Sequence, residues 1–337
     1  IQKKQKFTGS VAPMMDWTDR HCRWFHRKLS KNALLYTEMV VADAIIYGDK
    51  DFLISFNPEE HPVALQLGGS DPKKLSQAAI IGEKFGYDEI NINIGCPSDR
   101  VRSGSFGVIL MRSPGLVADC VKAMLDASKN LDITVKCRIG VDEDDPYLVL
   151  PEFIEMLQLA GINRLIIHAR KAWLKGISPK QNRDLPPLDY NLIFKMKKIF
   201  PKMHLTLNGG VQNITQVKGH LDNGIDGVMI GRSAYYNPVQ VLQNIDGEIY
   251  QKGIVKNGFE VVEEMLPYIE KHLQNGGRLN QITRHMLGIF SGQPGAKLWR
   301  RNISEQAHKK GADLNVLINA VNAVALTNKN NDYLLAI

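Results

Sequence analysis

A TIM-type (β/α)8 barrel followed by a small all-helical C-terminal domain is the fold this sequence predicts. Between residue 9 and about residue 232, eight short apolar runs rich in β-branched residues alternate with amphipathic helical stretches. The runs end in glycine and polar residues all along the series, as barrel strands do, whereas a doubly wound sheet gathers its chemistry at one switch point. Beyond about residue 245 the strand pattern stops and helical periodicity continues alone.

The runs are GSVAPM from Gly9, ALLYTEMV from Ala33, PVALQLGG from Pro62, EININ from Glu89, ITVKCRIG from Ile133, RLIIHAR from Arg164, HLTLNGG from His204 and GVMIGR from Gly227. Intervening pieces such as DPKKLSQAAIIGEKFG and PEFIEMLQLAG open on Asp or Pro and close on Gly, the usual helix punctuation. In the C-terminal part GFEVVEEMLPYIEKHLQ, ITRHMLGIFSG, AKLWRRNISEQAHKKG and LNVLINAVNAVAL read as helices. A barrel needs about 250 residues. The expected domains are therefore 1–245, the barrel, and 246–337, the helical domain.

Of the 337 residues, 44% are hydrophobic and 23% charged, a balance that excludes a disordered chain. No apolar run approaches the roughly 20 residues of a spanning helix, and none follows the basic residues of IQKKQKFTGS. A cytoplasmic location is expected, with no membrane association and no obligate protein partner. Cys22, Cys96, Cys120 and Cys137 have no CxxC spacing, so neither a disulfide framework nor a metal site is expected. The formal charge of +7 favours a polyanionic partner.

Strand residues alternate faces, and a barrel strand turns every second one inward. That places Asn91 and Asn93 inward on EININ, Lys136 with Arg138 on ITVKCRIG, His168 with Arg170 on RLIIHAR, and Gln66 and Asn208 near their strand ends. One buried Asn or His is most often just a hydrogen-bonded core group. Five strands bringing Gln66, Asn93, Lys136, His168 and Asn208 to equivalent depth at the carboxyl face, where barrel enzymes build their sites, point to function.

The seventh and eighth strands end in Asn208, Gly209, Gly210 and in Gly231, Arg232. Glycines let backbone N–H groups approach an anion and the arginine adds charge, the pattern of a barrel phosphate site for either a cofactor or a substrate. Cys22 and Cys120 lie on helical patterns and Cys137 faces outward, so these three read as small core residues. Cys96 instead follows a strand end, where Gly95 and Pro97 shape the turn, and the polar loop SDRVRSGSFG behind it has the look of a lid. A thiol there serves as a nucleophile or as a general acid, and no Cys/His pairing chooses between them.

Taken together, VAPMMDWTDRHCRWFHR, LQLGG, NINIGCPSDRVRSG, VKCRIG, IIHARKAWLKGISPKQNR, LNGGV, MIGR and HMLGIFSGQPGAKLWRR resemble the tRNA-dihydrouridine synthases, nearest to the DusA group. One departure is GVILM at 107–111, where that group commonly has a cysteine at the place of Ile109. The resemblance implies a flavoenzyme that carries FMN, takes reducing power from NADPH and reduces the C5–C6 bond of D-loop uridines in tRNA, at positions 20 and 20a. It implies that Cys96 is the catalytic proton donor to C5 while hydride reaches C6. Thiols as a class keep their proton at neutral pH, as an acid must.

The same resemblance gives the other residues their roles. Pro13, Met14 and Met15 line the isoalloxazine, Gln66, Lys136 and His168 meet its polar edge, and Asn208, Gly209, Gly210, Gly231 and Arg232 hold the phosphate. Asn93 contacts the target uracil, and Lys180, Arg183, Lys297 and Arg300 contact tRNA. An RNA partner is also favoured by charge alone, because residues 278–310 hold Arg278, Arg284, Lys297, Arg300, Arg301, Lys309 and Lys310 against Glu305. Two rivals are a small-molecule flavin barrel of the dihydroorotate dehydrogenase kind, which the basic helical domain disfavours, and a non-enzymatic RNA-binding barrel, which the intact strand-end set disfavours.

Overall fold

Eight parallel strands pair in sequence order and close on themselves: β1 (Gly9–Val11), β2 (Leu34–Val41), β3 (Val63–Gly68), β4 (Glu89–Ile94), β5 (Asp132–Arg138), β6 (Arg164–His168), β7 (His204–Asn208) and β8 (Gly227–Ile230), with β8 returning to β1. The computed structural model describes residues 7–98, 106–252 and 256–328. The expected barrel is what the chain forms, one strand for each predicted run.

The helices between strands start and stop as their punctuation dictates. In Pro72–Phe85 the Asp71 side chain accepts the N–H groups of Lys73 and Lys74, proline takes the first turn, and Gly86 closes the helix in the left-handed region. Asp145 caps Pro146–Leu159 and Asp189 caps Tyr190–Ile199 in the same way. An apolar cluster of Phe7, Leu34, Tyr36, Ala64, Ile166 and Met229 is buried in the barrel unit, with Met14 packed against it.

Two compact units divide the chain. The first takes residues up to Asp16, Leu34–Val211 and Thr215–Gly231; the second takes Trp17–Ala33, Gln212–Ile214 and the chain from Arg232 onward. The boundary expected at 245/246 thus falls inside the second unit, which also claims a segment, Trp17–Ala33, from near the start of the chain. That segment is tied in by Asp246, which accepts the Ser30 hydroxyl at 2.5 Å and the Lys31 N–H at 2.6 Å.

Within the second unit, helices form at Arg20–Leu29, Gly258–Gln274, Ala296–Gln306 and Leu314–Thr327. The helix expected over ITRHMLGIFSG does not form. A short helix ends at Thr283 and turns follow. Gly288 explains the difference: a Cβ there would lie 2.3 Å from the Tyr236 carbonyl, so two backbones meet where a helix needs side-chain room. Gly292 and Gly295 then adopt positive φ. Among the described residues no helix is long and apolar enough to cross a membrane.

Candidate active site

Side chains of β3, β4 and β5 are joined in one row that runs from the amino end of β4 to its carboxyl end. Asn93 Nδ2 donates to Gln66 Oε1 at 2.8 Å, and Gln66 Nε2 donates to Asn91 Oδ1 at 2.8 Å. Asn91 Nδ2 then donates to Thr134 Oγ1 at 2.8 Å, and the Thr134 hydroxyl donates to the carboxylate of Glu89. Alternation brings these residues to one face, and the register Gln66–Asn91–Thr134 across three strands sets them side by side. Glu89 is fully buried, ion-paired to Arg164, and accepts the Tyr36 hydroxyl at 2.5 Å. Burial pushes that hydroxyl up to about 12, which keeps it a donor.

At its upper end this chain holds the Cys96 turn. Asn93 Oδ1 accepts the backbone N–H of Gly95 at 3.0 Å and of Cys96 at 2.9 Å, an Asx turn. The turn thus depends on Asn93; Gly95 does not adopt a positive φ. Cys96 Sγ lies 3.3 Å from Ser98 Oγ, and its carbonyl accepts the Val108 N–H at 3.0 Å. Cys96 is partly exposed while Cys22, Cys120 and Cys137 are buried. The expected lid, residues 98–107, lies largely outside the described residues.

Lys136 pairs with Asn93 in the β4–β5 register, and among the described residues its ammonium makes no ion pair or hydrogen bond. Burial, then the guanidinium of Arg138, push that ammonium down to about 8, partly offset by attraction to the Cys137 and Cys96 thiols. Burial together with the cations Arg138, Lys136, Arg170 and Arg183 holds His168 well below the usual histidine range, so its ring is neutral. Gly209 is needed beside it: φ is +109° and a Cβ would lie 2.4 Å from the His168 ring. Gly210, at φ +73°, has no room either, since a Cβ would meet Leu188 at 2.5 Å and the Tyr190 hydroxyl at 2.6 Å. Gly231 is different, with nothing nearer than 3.9 Å to such a Cβ.

Other expected site residues sit as follows. Pro13 and Met14 are half-buried just beyond β1 and Met15 is 55% exposed. Asn208 spends its amide on the Met229 carbonyl at 2.8 Å, tying β7 to β8. Arg232 opens the short helix Arg232–Tyr236 of the second unit. Lys180 and Arg183 are exposed around a short helical turn, as are Lys297 and Arg300 on Ala296–Gln306, whose inner face buries Trp299 and Ile303. In the basic segment, Arg284 is engaged with Asp19 at 2.6 Å and Arg301 with Glu305 at 3.1 Å.

Two expected inward residues have structural work. β6 ends at His168, so Arg170 lies in the following loop and grips the Pro186 carbonyl. Arg138 donates to the carbonyls of Gly95 at 3.0 Å and of Lys171 and Asn182 at 2.9 Å. Asn182 in turn accepts the Trp173 N–H at 2.7 Å, so Arg138 fixes both the cysteine turn and the loop bearing Lys180 and Arg183. Asn182 escaped the sequence reading because it lies outside any strand. Its one signal was a polar residue inside the quoted PKQNR stretch.

The cluster offers a partner chiefly donors: the Lys136 ammonium, the spare N–H groups of Gln66 and Asn93, the Cys96 thiol and the backbone after β7. A flat ligand with carbonyl oxygens and a phosphate has the complementary acceptors. Among the described residues no group of three or more His, Cys, Asp or Glu side chains could hold a metal.

Comparison with known proteins gives one consistent result. Residues 10–326 match the family described as "Dihydrouridine synthase (Dus)". The tRNA-dihydrouridine(20/20a) synthase of Escherichia coli K12 is 54% identical over 318 residues, 94% of this chain and 91% of that protein. The enzyme of the same name from Shewanella oneidensis is 52% identical over 310 residues, 92% of each. Among solved structures, morphinone reductase aligns with a TM-score of 0.51 over 74% of this chain and 87% of its own; at 12% identity this shows a shared fold.

Proposed function

The chain belongs to the dihydrouridine synthase family, and from that premise we propose how its own residues reduce uridine in tRNA to 5,6-dihydrouridine. The positions reduced are 20 and 20a, as the names of the relatives indicate. The observation that carries the reading is the meeting of Cys96, Asn93 and Lys136, whose ammonium has no carboxylate partner among the described residues, at the carboxyl ends of adjacent strands.

When bound, FMN would supply the hydride for C6 of the uracil, with NADPH as the source of its electrons. The donor set fits that cofactor. Lys136 meets its electron-rich edge, Gln66 offers a spare N–H, and neutral His168 offers a ring nitrogen without adding charge. Gly209, Gly210, Gly231 and Arg232 hold its phosphate, and Pro13, Met14 and Met15 give the apolar side of the ring site.

Asn93 Oδ1 has already accepted two N–H groups, so what it can still give the base is the second hydrogen of Nδ2, which suits a uracil carbonyl. Cys96 Sγ transfers its proton to C5, and the thiolate left behind regains a proton from water. Exposed Lys180, Arg183, Lys297 and Arg300 contact tRNA phosphates. The setting is the cytoplasm, where tRNA is found.

The test is reconstitution: purified chain, FMN, NADPH and unmodified tRNA transcript, with dihydrouridine mapped by mass spectrometry. Dihydrouridine at positions 20 and 20a is expected. Absence of product from a flavin-loaded, NADPH-oxidising protein would overturn the reading, and product at other positions would overturn the assignment of site.

A further inference from the structure

A row of side-chain amides can be polarised in either of two directions, because turning each amide over exchanges its donor for its acceptor. In the barrel both ends of the row Asn93–Gln66–Asn91 remove that choice, and they agree. The backbone N–H groups of Gly95 and Cys96 can only donate, so Asn93 must accept above. The carboxylate of Glu89 can only accept, so Thr134 must donate below and present its oxygen to Asn91. Every dipole then points the same way, in a buried setting where such chains reinforce one another.

From this we infer that Thr134 and Glu89 are positioning residues for Cys96. They touch neither cysteine nor base; they set the direction and strength with which Asn93 Oδ1 grips the turn bearing the thiol. Arg164 ion-pairs with Glu89 in its buried place, and the Tyr36 hydroxyl bonds the same carboxylate oxygen as Thr134 without belonging to the row. The acid lies at the first residue of β4 and the cysteine two residues past its end, so the row spans the length of β4 by way of Gln66 on β3 and Thr134 on β5.

The inference rests on Cys96 being the proton donor to tRNA, and the experiment separates the two. In the FMN-loaded full chain, Thr134→Val removes the hydroxyl while keeping the volume, Thr134→Ser keeps it, and Tyr36→Phe removes a neighbouring hydroxyl outside the row. Two quantities are read: alkylation of Cys96 by iodoacetamide, specific because the other three cysteines are buried, and the two half-reactions, flavin reduction by NADPH and single-turnover reduction of tRNA.

For Thr134→Val, alkylation is expected to quicken at least threefold and tRNA reduction to slow about tenfold, with flavin reduction within twofold of the parent. Thr134→Ser should restore both, and Tyr36→Phe should leave both unchanged. Where the valine chain does not accumulate, Thr134→Ala is read in its place with the same expectation. Unchanged alkylation, a parallel loss of both half-reactions, or an equal effect of Tyr36→Phe overturns the inference. A parent chain that fails to reduce tRNA overturns the functional reading alone, since alkylation still decides whether the row holds the turn.

Discussion

Asn93 Oδ1 lies 2.9 Å from the backbone nitrogen of Cys96, so the residue proposed to face the base also shapes the turn that presents the acid. Substitution of the cysteine is therefore cleaner than substitution of the asparagine. Cys96→Ala leaves the backbone bond in place and removes only the thiol. Flavin content and NADPH oxidation should stay within twofold of the parent, while dihydrouridine formation falls roughly 100-fold or more. Near-normal product from the alanine chain sinks the assignment of the proton donor.

Lys136 makes flavin binding depend on pH. Its ammonium is held down to about 8 in the free protein, and the protonated form is the one that complements an electron-rich ring edge. FMN affinity should fall as pH rises through about 8, and Lys136→Met should bind FMN more weakly with that dependence gone. Titration of flavin fluorescence between pH 7 and 9.5 checks this; equal slopes for the two proteins would place the cation elsewhere.

Arg232→Ala tests the phosphate end. Loss of one charge-assisted contact costs about 1.5 to 3 kcal/mol, or roughly 10- to 100-fold in FMN affinity. Retention of flavin through gel filtration, compared with Gly210→Ala as a backbone-strained reference, reads the effect. An arginine variant that keeps its flavin as the parent does excludes this residue from the phosphate site.

Lys297→Glu with Arg300→Glu reverses two exposed charges on Ala296–Gln306 without touching the buried Trp299 face. Binding of tRNA should weaken and its salt dependence flatten, since the slope of log K against log salt counts the phosphates neutralised. NADPH oxidation without tRNA should be unchanged. Equal binding by parent and variant from 50 to 300 mM salt would move RNA recognition to the barrel loop around Lys180 and Arg183.

The second unit should be sensitive to acid. Burial lowers His21 to about 4, with His272 and His285 adding to it, and burial lowers His26 to about 3. Burial alone would raise Asp19, but bonds from His285, the Cys22 N–H and Arg284 hold it below the ordinary carboxylate range. In each case the unfolded chain binds the proton first, so stability is lost as pH falls: between about 6.5 and 3 for the histidines, below about 4 for Asp19. Each histidine accounts for on the order of 2 kcal/mol lost at pH 5. Urea unfolding at pH 7 and pH 5 measures this, and His26→Leu should shrink the difference.

The candidate site was legible where one strand sufficed to see it. Alternation placed Gln66, Asn93, Lys136 and His168 on the inner face because the side-chain period of a strand leaves no other choice. Links between segments were not legible. Arg138 reaches an Asn182 carbonyl 44 residues away, and Arg284 reaches Asp19 across 265 residues. The missing helix at ITRHMLGIFSG has the same origin, because only the folded chain brings Tyr236 against Gly288.

The split make-up of the second unit bears on the order in which the chain is made. Trp17–Ala33 leaves the ribosome well before the residues it is tied to: Trp17 stacks on Tyr235, and Lys31 is held by Asp246, 215 positions later. At about 5 to 20 residues per second, synthesis of that interval takes on the order of 10 to 40 seconds. Through that time Phe25 and Leu29, both buried in the finished protein, have no final place to go. The barrel waits as well, because β1 has β8 as one of its two neighbours. A nascent chain halted before residue 227 holds neither of these closures, so the early helix is then without the residues it packs against.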